Sequence, residues 1–218
     1  MIILNSNIKK RIFTSLSLSI LLLFIIKFNF FLFYILIIFG VLSIIEFINL
    51  SKKITIQTHY LILLNAFFIS YIFCFCLLFV YFSNFLELKI LLFSFLLCCI
   101  ASDLGGFIFG KFFKGPKLTK ISPNKTFSGA LGSLFLSVVV FSGLIFLFVG
   151  VFDFKILLTG LITSLSCQIG DLLFSFLKRK ANIKDTSNFL PGHGGLLDRL
   201  DGIFLGIPIG ILFLTFLY

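Results

Sequence analysis

Apolar runs longer than about 18 residues recur along the whole chain with only short polar stretches between them, and a helix of that length crosses a hydrocarbon core of about 30 Å. In lipid no water is present to satisfy backbone N–H and C=O groups, so each such run must fold as a helix that pairs them internally. The expected fold class is therefore an all-α, polytopic membrane protein of about seven transmembrane helices. We place the spans at 12–26, 30–50, 60–82, 90–110, 127–149, 156–176 and 202–217. Hydrophobic residues make up 60% of the chain, against roughly 45–50% in soluble domains, which leaves no stretch for a soluble domain. With 34 Phe and no Trp, phenylalanine is read as the default lipid-facing residue and not as an aromatic site. Lys9-Lys10-Arg11 before the first run resembles the start of a signal peptide, but no small-residue cleavage site follows and another span begins directly, so a retained first helix, or half of a hairpin with the second, is expected.

Orientation follows from the basic residues, which concentrate in short cytoplasmic loops. With seven spans and a cytoplasmic N-terminus, fifteen of the 18 Lys and Arg fall on the cytoplasmic side, leaving only Lys27, Lys89 and Lys155 elsewhere. The net charge of +10 is thus a topological signal that needs no nucleic-acid partner. The same basic loops attract anionic headgroups and a nucleoside triphosphate. The five cysteines lie in apolar segments without metal-ligand spacing and are expected to act as small apolar residues. We expect residues 1–98 to form a scaffold of transmembrane helices. Residues 99–218 form a catalytic region with two cytoplasmic loops, 111–126 and 178–201.

An ionisable group within a span is costly and marks a functional candidate. Asp103 lies eight residues before Lys111, and Asp171 seven before Lys178, so each sits about 10–12 Å below the same basic surface. Ser164, Gln168, Asp171, Ser175 and Lys178 recur at helical spacing within an arc of about 80°, a polar stripe that must face other helices or a watery cavity. Around Asp103, the residues Cys99, Gly106 and Gly110 share its face, and small residues there allow a neighbouring backbone to approach. Close packing explains the glycines but not the aspartate, which is read as catalytic or ligand-binding.

The first loop carries five lysines and no acid. Ser122-Pro123 reads as a helix start, with Ser122 at or near the cap and Lys125 and Thr126 in the first turn, where free N–H groups beside a lysine suit a phosphate. The second loop holds Lys178-Arg179-Lys180, Lys184-Asp185 and the run Pro191-Gly192-His193-Gly194-Gly195-Leu196-Leu197-Asp198-Arg199-Leu200-Asp201. Glycines beside His193 permit backbone conformations closed to other residues and close approach of a ligand. His193 itself, between a basic cluster and two aspartates, is taken as functional, whereas His59 is not. Carboxylates able to hold a divalent cation, joined to cations able to hold phosphates, are the ingredients of nucleotidyl transfer. Mg²⁺ needs few carboxylates and keeps several waters, so two aspartates suffice.

The pattern Gly170-Asp171, Ser175, Lys178-Arg179, Lys184-Asp185, Pro191-Gly192-His193-Gly194-Gly195 and Asp198-Arg199-x-Asp201 resembles the phosphatidate cytidylyltransferases. The Asp103 region and Ile121-Ser122-Pro123-x-Lys125-Thr126 resemble a second region of that family, so the likeness covers about the C-terminal half. The resemblance implies that CTP and phosphatidic acid are joined into CDP-diacylglycerol with release of diphosphate. It implies Asp171 and Asp198 as ligands of Mg²⁺ and places Lys125, Lys178, Arg179, Lys184 and Arg199 at the family's basic positions; Asp103 and His193, read from their surroundings above, join the catalytic set, with His193 shaping the site. Ser122, Lys125, Thr126, Ser175, Lys178, Arg179, Lys184, Asp185, Gly194, Gly195, Arg199 and Asp201 would bind substrate. A homodimer is a candidate assembly. Departures stand at Gly105-Gly106, Asn124 and Phe127, where the family often has Ala, Lys and Trp, and they leave the charged positions intact. A CTP-dependent lipid kinase and an ion transporter built on Asp103 and Asp171 are the alternative readings; the second leaves the 191–201 run unexplained.

Overall fold

A computed structural model describes residues 28–54, 57–119, 122, 125–187, 189 and 194–218, together with Ser17, Ile20 and Phe24. Among these residues the chain is helical and contains no β-strand; Lys117 and Thr126 form an isolated antiparallel bridge. Among the described residues six helices are long and apolar enough to cross a membrane: α1 Asn29–Ile54, α2 Thr58–Ser83, α3 Leu86–Phe113, α4 Phe127–Val149, α5 Phe154–Lys180 and α6 Leu197–Leu217. They correspond to the second to seventh expected spans; the first, at 12–26, lies outside the described residues except at Ser17, Ile20 and Phe24. Large apolar side chains stand exposed on every helix, among them Phe30, Phe67, Phe107, Phe135, Phe176 and Leu212. Water does not tolerate so much contiguous apolar surface, whereas hydrocarbon does. The chain is an integral membrane protein.

Several helices run past their apolar windows. Lys178, Arg179 and Lys180 form the last turn of α5, and Asp198, Arg199 and Asp201 lie in the first turns of α6, so both ends of the second polar segment are helical. A cation at a helix C-terminus and an acid at an N-terminus each complement the macrodipole, which favours this extension.

The contacts divide the chain into two compact units, one of residues 1–84 and 177–199, the other of 85–176 and 200–218. In the first, α1 and α2 form an antiparallel hairpin. Asn29 Nδ2 donates to the Ser83 carbonyl at 3.1 Å, the Phe47 and Phe68 rings stack at 3.8 Å, and Ser51 Oγ bonds Asn65 Oδ1 at 2.8 Å. Without a hydrophobic force between helices in lipid, such packing and hydrogen bonding carry the association.

In the second unit α3 and α4 approach so closely that a Cβ on Gly105 would strike the backbone of Gly132, and one on Gly132 would strike Phe109. The small residues around Asp103 thus do permit backbone contact, as their spacing predicts. Hydroxyls fasten the same contact: Ser133 Oγ donates to the Ser102 carbonyl at 2.7 Å and Ser137 Oγ to the Cys98 carbonyl at 3.3 Å. α5 joins through a 2.9 Å bond between Ser164 and Ser102. The later part of α6 packs Gly206 against Cys99 and Cys167. The cysteines are free, and Cys98, Cys99 and Cys167 are buried as small apolar groups. At the far end of this unit Lys155 Nζ bonds the Leu217 carbonyl at 2.9 Å and lies 4.4 Å from the centre of the Tyr218 ring, tying the start of α5 to the end of α6.

Candidate functional site

The polar stripe of α5 finds protein partners along its length. Ser164 meets Ser102, Gln168 Nε2 donates to the Ala130 carbonyl at 3.3 Å, and Asp171 Oδ2 accepts from Lys125 Nζ at 2.8 Å. These three residues face groups of their own unit, as the cost of polar groups in lipid requires. Ser175 is half-buried one turn beyond.

Lys125 reaches Asp171 because the segment before α4 folds back on itself. Leu118 N–H donates to the Lys125 carbonyl at 2.8 Å, and Phe127 N–H to the Pro116 carbonyl at 3.0 Å. Lys114, at φ 42°, ends α3 in the left-handed region and starts that return. The helix cap differs from the expectation. Thr126, not Ser122, is the N-cap of α4, its hydroxyl accepting from Gly129 N–H at 3.1 Å, and Lys125 precedes the helix. A cap hydroxyl serves the N–H three residues on, and only Thr126 stands at that distance from the first buried glycine of α4. Ser122 N–H bonds Thr119 Oγ1 at 3.2 Å, and its carbonyl accepts from Lys125 N–H.

The first unit holds the second ion pair. Lys178 Nζ lies 2.7 Å from Asp198 Oδ1, with side chains only 11% and 8% exposed. Asp198 Oδ2 accepts Thr186 N–H at 2.9 Å, Gly195 N–H at 3.0 Å and lies 3.0 Å from Thr186 Oγ1. Gly194 adopts φ +83°, so the expected special conformation beside His193 is present there. A Cβ on Gly195 would collide with Thr186 Oγ1 and lie 2.6 Å from Glu46 Oε2. Arg179, Lys184, Asp185 and Arg199 are exposed, and Arg179 Nη1 bonds the Ile183 carbonyl at 3.2 Å. Asp201 is buried, and its Oδ1 accepts Gly202 N–H at 3.0 Å. Its carbonyl sits where a side chain on Gly170 would be, 2.6 Å from the ideal Cβ, which accounts for the glycine before Asp171.

The expected residues thus fall into two groups, Lys125 with Asp171 in one unit and Lys178, Asp198, Gly194 and Gly195 in the other. Asp103 is exposed on α3. His193, with Pro191 and Gly192, lies outside the described residues. Among the described residues no cluster of three His, Cys, Asp or Glu side chains is assembled. The oxygens of Asp171 and the Oδ1 of Asp198 are hard anionic donors, the type Mg²⁺ takes in ones and twos while keeping waters. Asp198 Oδ2 takes the Thr186 and Gly195 N–H groups, and Asp198 Oδ1 and Asp171 Oδ2 each accept from a lysine that a cation would displace. Sequence reasoning missed Glu46, whose buried carboxylate touches this group; its signal was that it is one of only eight acids and lies inside an apolar run.

Comparison with known proteins places this geometry. Residues 7–217 match the profile of the cytidylyltransferase family. A phosphatidate cytidylyltransferase of Helicobacter pylori (strain ATCC 700392 / 26695) is 42% identical over 116 residues, covering 51% of this chain and 42% of that protein. Phosphatidate cytidylyltransferases of Staphylococcus aureus (strain COL) and Mycobacterium leprae (strain TN) are 40% and 37% identical over 124 and 126 residues. These cover 56% and 57% of this chain, and 47% and 40% of the relatives. The matched stretch spans less than half the length of each relative. A profile match over nearly the whole chain, joined to lysine–aspartate pairs at the positions the motifs single out, makes this protein a member of the cytidylyltransferase family.

Proposed function

We propose that the chain transfers the cytidylyl group of CTP to phosphatidic acid, giving CDP-diacylglycerol and diphosphate, at the cytoplasmic face of its membrane. The observation that carries this reading is the pairing of the two proposed metal aspartates with motif lysines, Lys125 with Asp171 and Lys178 with Asp198. Such lysines are charged groups held ready for phosphate, restrained by a carboxylate until a stronger anion arrives. The names of the relatives support the same substrates, and the basic loops support the cytoplasmic side.

In this reading a lipid phosphate oxygen attacks the α-phosphorus of CTP, forming one P–O bond as the bond to the β-phosphate's bridging oxygen breaks. Diphosphate leaves with that electron pair. The lipid phosphate is already ionised near neutral pH, so no base is required. Lys125, Lys178 and the exposed Arg179, Lys184 and Arg199 align the triphosphate and the lipid phosphate and offset charge in the transition state. Asp171 and Asp198 would hold Mg²⁺, which when bound supplies neutralisation of phosphate charge. Asp103, His193 and the half-buried Ser175 complete the proposed set.

Asp→Asn keeps shape and removes charge. Asp171→Asn and Asp198→Asn should each abolish CDP-diacylglycerol formation, with the double variant little worse than either, because residues that act as a unit are not additive. Substantial turnover by Asp198→Asn at ordinary Mg²⁺ concentration would refute the proposed metal role.

A further inference from the structure

Glu46 is a carboxylate inside an apolar helix, two turns before its end and only 5% exposed. Its oxygens are fully engaged by the polar segment between α5 and α6, some 140–150 residues away in sequence. Oε1 accepts from Ser187 Oγ at 2.6 Å and Leu196 N–H at 3.0 Å; Oε2 accepts from Thr186 Oγ1 at 2.8 Å and Leu197 N–H at 2.8 Å. Leu196 and Leu197 stand at the N-terminus of α6, where the first N–H groups have no partner inside the helix and a negative charge is favoured. Thr186 Oγ1 also lies 3.0 Å from Asp198 Oδ2, which takes the N–H groups of Thr186 and Gly195, while Asp198 Oδ1 takes the Lys178 ammonium. A continuous chain of hydrogen bonds therefore runs from Glu46 through Thr186 to Asp198 and Lys178.

We propose that Glu46 is a positioning residue for cytidylyl transfer: it clamps Thr186 and Ser187 to Leu196 and Leu197 so that Asp198 and Lys178 are held in their working orientation, giving the N-terminal helices a direct part in the site. The role in turnover rests on the function proposed above; the clamp itself does not. The geometry is specific to a carboxylate. In Glu46→Gln one oxygen becomes an NH₂ group, and whichever way the amide turns, the N–H of Leu196 or of Leu197 faces another donor. The hydroxyls of Thr186 and Ser187 can rotate away; a backbone N–H cannot.

The test combines hydrogen exchange of the full-length protein in detergent with steady-state kinetics using CTP and phosphatidic acid. In Glu46→Gln, amide exchange across residues 184–197 should accelerate about tenfold or more, while peptides from α3 and α4 exchange as in the unaltered protein. The kcat should fall about tenfold or more, and the Glu46→Asp variant should restore less than half of it, since its carboxylate, one methylene shorter, falls short of its donors. Thr186→Val, nearly isosteric and lacking the connecting hydroxyl, should loosen the same segment and serves if Glu46→Gln does not fold. Unchanged exchange over 184–197, or faster exchange throughout the protein with kcat per folded molecule unaltered, would overturn the proposal. If the unaltered protein makes no CDP-diacylglycerol, the proposed function and the positioning role fall together, while the exchange result still decides whether the clamp exists.

Discussion

Gly195→Ala is expected to damage the protein more than Gly194→Ala, although the two residues are neighbours in one glycine-rich run. At Gly194 the backbone stands at φ +83°, and an added Cβ meets Asp198 Oδ2 at 3.1 Å, so alanine suffers mainly the left-handed penalty of about 1–2 kcal/mol. At Gly195 the Cβ collides with Thr186 Oγ1, lies 2.6 Å from Glu46 Oε2 and 3.0 Å from its Cδ. These atoms cannot simply swing aside, because Glu46 is held by four donors and is buried. Overpacking costs about 1–3 kcal/mol, and losing one hydrogen bond to a charged group adds about 1.5–3 kcal/mol, for a total of about 2.5–6 kcal/mol. For a chain of this size that corresponds to a fall in Tm of roughly 5–24 °C, against about 2–8 °C for Gly194→Ala. Thermal unfolding of the two variants in the same detergent measures the difference. A Gly195→Ala protein that melts within about 2 °C of the parent would refute the packing of Gly195 against Glu46.

Three further outcomes are expected. Lys125→Met should lower kcat/KM for CTP about a hundredfold while leaving insertion and folding intact, as steady-state kinetics on the purified protein would register; normal kinetics would return the 111–126 segment to an ordinary basic loop. Thr126→Ala should cost about 0.5–2 kcal/mol of stability through loss of the α4 cap, whereas Ser122→Ala should cost less, and paired thermal melts separate them. Single cysteines introduced by Lys117→Cys and Lys184→Cys in a cysteine-free background should label only from the cytoplasmic side, and Val151→Cys only from the other; the reverse pattern would overturn the orientation.

Much of the architecture was legible because lipid leaves a hydrophobic run few options, so the second to seventh spans appear as helices close to their expected places. The ends were less legible. Lys178 and Asp198 lie outside any apolar window, yet both are helical, because charges of the right sign extend helix termini. The α5 stripe was readable from its spacing, and its partners Ser102, Ala130 and Lys125 follow from packing that no spacing reveals. The cap of α4 was misplaced by four residues: Ser-Pro is a sound start signal, but Thr126 also precedes a helix and its hydroxyl is the one that meets an N–H. Glu46 was the largest omission. The cost of an acid inside a span drew attention to Asp103 and Asp171 and applied equally to Glu46, but its partners lie so far along the chain that nothing local announced them.

The central claim is cytidylyl transfer, and the position of a label decides it most directly. Purified protein given phosphatidic acid, Mg²⁺ and CTP labelled in the α-phosphate should place the label in lipid, and CTP labelled in the γ-phosphate should place it in diphosphate. Label from the γ-phosphate appearing in lipid, with CDP as the other product, would mark a kinase and contradict the account, as would no labelled lipid from either substrate.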